Sequence, residues 1–185
     1  MSATAPLLVL TGSSGSGKTT LCRRLVAAAR AAGLDAAGIL SPARVAEGRK
    51  VGIDALDPRS GRSRPFASLH AETRAPGVLM GPWTFDEAAV EWGNALLRSA
   101  TPCDLLVVDE LGSLEFVHHR GWLAGFEAVG SGGYRQAVVV VRNDLVGAAR
   151  ARWPHAEVED ASDAEARRRL EVRLARMVSA GDVLP

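Results

Sequence analysis

Gly12, Gly17, Lys18 and Thr19 satisfy the spacing G-x-x-x-x-G-K-[ST] within GSSGSGKTT, residues 12–20. Glycines at such positions let successive backbone N–H groups curl around an anion, and a following helix aims its positive end at the same point. Lys18 is then placed to reach the terminal phosphates of a nucleotide, and the Thr19 hydroxyl to hold Mg²⁺. Ser13, Ser14, Gly15, Ser16 and Thr20 complete the candidate phosphate-contacting set. The flanks agree with this chemistry, because LLVLT before the loop reads as a buried strand and LCRRLVAAAR after it as a helix.

A second constellation lies in CDLLVVDE, residues 103–110. Its apolar run buries a strand and delivers Asp109 to the carboxyl end, where open α/β sheets bind their ligands. Asp109 is expected to hold the metal, and Glu110 to orient and deprotonate an attacking water. Glu115, in GSLEF, stands on equal terms as a water-activating acid and as a hydrogen-bonding anchor for its loop. After QAVVVV come Arg142 and Asn143, candidates for transition-state charge and for a γ-phosphate contact. A helix cap or a solvated surface is the more ordinary role for these two. Arg44 and Lys50 flank a hairpin and face either the nucleotide or solvent. His118 and His119 lack companion metal ligands at recognisable spacing and read as loop residues.

These residues need a scaffold. The pattern predicts a strand at LLVLT, a helix over residues 19–32 stopped by Gly33, and a strand over 36–41. RKVGIDAL and RSRPFASL flank DPRSG and predict an antiparallel hairpin. A loop is expected over 70–77, a short strand in LMGPWTF, and a helix over DEAAVEWGNALLRSA capped by Thr84 or Asp86. Beyond CDLLVVDE the reading gives a short helix over 121–129, a strand at QAVVVVR and helix over 144–152. A weak strand at AEVED and a charged amphipathic helix over 162–180 follow. Alternating strands and helices predict a mostly parallel sheet covered on both faces.

The chain of 185 residues fits one domain, 1–185, and its formal charge of +1 gives no reason to expect nucleic acid or an acidic membrane surface. Cys22 and Cys103 are far apart in sequence and are expected to be reduced thiols. MSATAPLLVL lacks a basic segment before its apolar run, and no stretch approaches the ~18–20 apolar residues that cross a bilayer. The expected compartment is the cytoplasm.

With both motifs in view, the sequence resembles the small P-loop nucleoside-triphosphatases, the cancer-related nucleoside-triphosphatase type. The resemblance runs through TGSSGSGKTT, GILSPARVAEGRKVGIDALDPRSG and CDLLVVDELGSLEF, roughly residues 7–117. It implies a three-layer, RecA-like P-loop fold carrying an added β-hairpin. It also implies Mg²⁺-dependent hydrolysis of NTP to NDP and phosphate, with broad base tolerance. Gly12, Gly17, Lys18 and Thr19 match the nucleotide-binding positions, Asp109 the metal position and Glu110 the water-activating one. Members often carry a glycine pair and an arginine where this chain has EGRK, with one glycine and Lys50.

Two other readings stay open on the residues alone. A small-molecule kinase would bind an acceptor hydroxyl through the hairpin or residues 70–84, with Arg62, Arg64 and Arg74 in a lid. A slow regulatory ATP-binding subunit would offer residues 118–133, with Trp122 and Phe126, to a protein partner, although such aromatics more ordinarily pack in a core.

Overall fold

The computed structural model describes residues 6–69 and 77–179. The strand after which the glycine loop begins, β1 (Leu7–Thr11), lies inside a five-stranded parallel sheet. Its other strands are β2 (Ala36–Ile39), β8 (Cys103–Leu111), β9 (Tyr134–Val141) and β10 (Glu157–Asp160), in the order β10-β1-β9-β8-β2. β9 therefore separates the loop strand from the strand that carries Asp109.

Side chains alternate between the two faces of the sheet, and each face builds its own core. Leu8 and Leu10 of β1 join Leu105 and Val107 of β8 under Leu21 and Leu25 of α1 (Lys18–Ala31), with Leu170 of α6 (Ala164–Ser179). Leu7 and Val9 point the other way, with Leu106 and Val108, toward Leu97 of α2 (Glu87–Arg98). Ala124 and Ala128 of α4 (Ala124–Gly130) and Ala149 of α5 (Val146–Arg152) share that second core. The three layers match the expected α/β arrangement.

The expected hairpin is part of a larger element. β4 (Arg49–Leu56) and β5 (Ser63–Leu69) form it, and β3 (Ala43–Ala46), β6 (Val78–Met80) and β7 (Trp83–Phe85) extend it into a five-stranded antiparallel sheet ordered β3-β4-β5-β7-β6. Phe66 of β5 anchors this sheet. Its ring stacks on the fully buried Trp122 with centroids 4.0 Å apart. Trp122 is thus a core residue and offers nothing to a protein partner; Phe126 packs half-buried against the same core.

Other boundaries differ in detail. Residues 113–116 form a short helix, α3 (Ser113–Phe116), that has too few turns to show a helical period. Asp86 rather than Thr84 caps α2, its side chain accepting from the Ala89 N–H at 2.7 Å. The loop expected at 70–77 falls, apart from Gly77, outside the described residues, as does Arg74. No described helix is long and apolar enough to cross a membrane.

Candidate functional site

The glycine loop closes directly on the first turn of α1. Gly12 has φ 137 and Gly17 φ 87, values that a side chain would strain, and a Cβ on Gly12 would lie 2.8 Å from Ser16 Oγ. α1 begins with no side-chain cap and no acid in its first turn, so its positive end faces the loop uncompensated. The Lys18 ammonium donates to the carbonyls of Gly12 at 2.8 Å and Ser13 at 2.9 Å, spanning the loop mouth.

Asn143 fixes where the loop starts. It opens a single 3-10 turn (Asn143–Leu145) at the end of β9, and its Oδ1 accepts from Thr11 Oγ1 at 2.5 Å and the Gly12 N–H at 2.7 Å. The side chain is committed to the loop backbone. Arg142 beside it ion-pairs with Asp144 at 3.2 Å and keeps half its side chain in solvent. On the far side, Ser162 Oγ accepts from the Ser13 N–H at 3.0 Å.

Asp109 reaches the foot of the loop from β8. It is fully buried, and Thr19 Oγ1 donates to its Oδ1 at 3.2 Å while the Ser41 N–H donates to Oδ2 at 2.9 Å. The Ser41 hydroxyl also donates to the Asp109 carbonyl. Burial pushes the Asp109 carboxyl up to about 6, opposed by the Ser41 and Thr19 hydrogen bonds. Ser41 escaped the sequence reading. Its signal was its position: a polar residue directly after the apolar run of β2, at the sheet's carboxyl edge.

Glu110 and Glu115 part company. Glu110 is exposed and has φ 83, inside a bulge of β8 between its pairings Val108–Val139 and Leu111–Val141 with β9. Glu110 borders the same cleft as the loop, with Lys18, Thr19 and Arg142. Glu115 is 3% exposed, and its two oxygens accept from the N–H groups of Gly112 at 2.8 Å and Trp122 at 3.0 Å. It ties the ends of its own loop together, as the anchoring one of its two sequence readings would have it. Burial raises its carboxyl to about 7, with those two N–H groups working in the opposite direction.

Arg44 does not join the site. It hydrogen-bonds Ser68 at 2.7 Å, lies 3.7 Å from Asp54 and covers Gly52 within the antiparallel sheet. Lys50 does border the loop cleft, and its ammonium sits 5.3 Å from the centre of the Trp83 ring. Cys22 and Cys103 are both free thiols; burial raises the first well above the ordinary value and the second to about 11.

A parallel α/β sheet with a glycine loop, a lysine at its mouth and a buried aspartate beside a threonine hydroxyl defines the P-loop nucleotide-binding class. Within that class, a family model described as NTPase matches residues 7–129, and the chain belongs to that family. The nucleoside-triphosphatase THEP1 of Thermococcus kodakarensis is 33% identical over 117 residues, covering 61% of this chain and 64% of that protein. The THEP1 of Methanothermobacter thermautotrophicus is 34% identical over 113 residues, covering 58% and 61%. The matches thus span less than two thirds of these curated relatives. The fold is shared with the solution structure of a human cancer-related nucleoside triphosphatase. That likeness has TM-score 0.69 at 22% identity and covers 95% of this chain and 99% of the other. Crystalline THEP1 from the hyperthermophile Aquifex aeolicus gives TM-score 0.65 at 19% identity, covering 92% and 98%.

Proposed function

We propose that this chain is a single catalytic domain that hydrolyses nucleoside triphosphates to the diphosphate and phosphate, with Mg²⁺ and with little regard for the base. One observation carries the reading: Thr19 Oγ1 meets Asp109 at 3.2 Å at the foot of the loop, while the next residue, Glu110, is exposed in the same cleft. Hydroxyl and carboxylate oxygens are the hard donors that Mg²⁺ takes, so Thr19 and Asp109 fit the ion. When bound, the ion would neutralise charge developing on the β and γ oxygens. The backbone N–H groups of residues 12–20 would cradle the phosphates, and Lys18 would exchange its carbonyl partners for phosphate oxygens. Glu110 would take a proton from a water as its oxygen attacks the γ-phosphorus, and Arg142 would leave Asp144 to meet the charge. The loop's backbone is blind to the base, which supports broad tolerance. The near-neutral charge and free thiols suit a cytoplasmic protein acting on free nucleotides.

The test is phosphate release from ATP, GTP, CTP and UTP with and without Mg²⁺, for the wild type and Lys18→Ala. Expected are Mg²⁺-dependent rates within about tenfold of one another, ~1.4 kcal/mol in barrier, and near-complete loss in the variant. Equal turnover by Lys18→Ala, or release indifferent to Mg²⁺, would overturn the assignment.

A further inference from the structure

The cleft over the glycine loop, about 760 Å³, continues into a second chamber of about 480 Å³, and Ser41, Lys50, Glu110 and Arg142 border both. The glycine loop, residues 12–15 and 17–20, borders only the first. The second chamber lies between the antiparallel sheet and α3, with Ile53, Phe66, Trp83, Phe85 and Leu114 among its walls. Ser113 and His118 supply polar atoms along one edge.

Hydrolysis does not require this space. An attacking water takes up ~30 Å³, whereas a chamber of this volume falls in the ~300–1,000 Å³ range of small-molecule sites. Its apolar, aromatic walls suit a flat ring, its polar lining suits the ring's heteroatoms, and its mouth carries the exposed Glu110. Lys50 and Arg142 stand at that junction, where transferred negative charge would pass.

We propose that the chamber binds a nucleoside, and that the chain transfers the γ-phosphoryl group of a bound triphosphate to a nucleoside hydroxyl. This rests on the triphosphate reading above. The hydroxyl oxygen forms a bond to the γ-phosphorus, and the bond from that phosphorus to the β–γ bridging oxygen breaks, its electron pair leaving with the nucleoside diphosphate. The hydroxyl proton passes to the Glu110 carboxylate. Water takes the acceptor's place when the chamber is empty, so hydrolysis and transfer share one γ-phosphoryl position.

The experiment incubates the protein, Mg²⁺ and γ-phosphate-labelled ATP with adenosine, guanosine, cytidine, uridine or thymidine, and separates labelled phosphate from labelled nucleoside monophosphate. Trp83→Ala removes a chamber wall and Met80→Trp fills the space; neither residue borders the loop cleft. Expected is labelled monophosphate from at least one nucleoside, with less free phosphate in its presence. Both variants should lose transfer by roughly tenfold or more while keeping acceptor-free phosphate release and the KM for ATP within about twofold. Phosphate release with no labelled monophosphate from any of the nucleosides overturns the acceptor chamber and leaves the triphosphatase standing. A raised KM for ATP in both variants also overturns it, because the chamber would then hold the triphosphate's own base. Neither labelled phosphate nor labelled monophosphate from the wild type overturns both readings.

Discussion

Glu110 and Glu115 are the same side chain in opposite surroundings. Glu110 has solvent and the cleft before it, whereas Glu115 has given both oxygens to backbone N–H groups in a buried pocket. A general base needs a free lone pair aimed at the reacting water, so of these two Glu110 is the one suited to the proposed role. Glu110→Gln preserves volume and removes basicity. Single-turnover hydrolysis should fall by roughly 10²–10⁴, with nucleotide affinity within a few fold because loop and metal supply the ground-state contacts. Glu115→Gln should cost less turnover, since its effect reaches the cleft only through the loop it anchors. Wild-type hydrolysis by Glu110→Gln would falsify its assignment as the base.

At the scale of elements, the site depends on strand ends being held in step. Asn143, at the end of β9, accepts hydrogen bonds from the last residue of β1 and the first residue of the loop. Asn143→Ala leaves the Gly12 N–H without its partner, a loss of roughly 1–3 kcal/mol where the group stays buried. Nucleotide binding should weaken by about tenfold (~1.4 kcal/mol), read by equilibrium titration, and unchanged affinity would mean that the loop holds its shape alone. The loop, α1 and β8 were legible in the sequence because continuous apolar runs and a glycine-lysine spacing leave little choice of structure. β3 was not: its residues Ala43–Ala46 are mostly exposed, so no face of that strand carries an apolar signature. β6 and β7 merged into one expected strand because Gly81 and Pro82 turn the chain inside a short apolar stretch. The anchor role of Glu115 was half visible. A glutamate at the third position of a helix is a capping signature, but the N-cap here is Gly112, and the usual serine or threonine that would announce it is missing.

For the whole molecule, burial of Glu115 makes stability depend on pH. Its carboxyl is raised from 4.5 to about 7 in the folded chain. The folded state therefore holds a proton that the unfolded chain has released, and this contribution to stability is lost as pH rises from the lower value through the upper one. Glu115→Gln lacks that titration. Between pH 5 and pH 8, urea unfolding should show the variant gaining on the wild type by on the order of 2–3 kcal/mol. A gap that does not move with pH would mean that the two N–H groups fully offset burial.

The backbone at Glu110 has one more consequence. Glu47 and His119 also have positive φ, but they sit in a turn and a bend, whereas Glu110 holds φ 83 within β8. A left-handed conformation costs a residue with a Cβ roughly 1–2 kcal/mol, and glycine escapes most of that. Glu110→Gly should therefore melt higher, by roughly 2–4 °C for a chain of this size, while losing turnover at least as completely as Glu110→Gln. Calorimetry beside a turnover assay would show it, and a lower melting temperature would mean that the side chain supports the fold. A gain in melting temperature beside a loss of turnover would make this peptide a place where the chain gives up stability for its proposed chemistry.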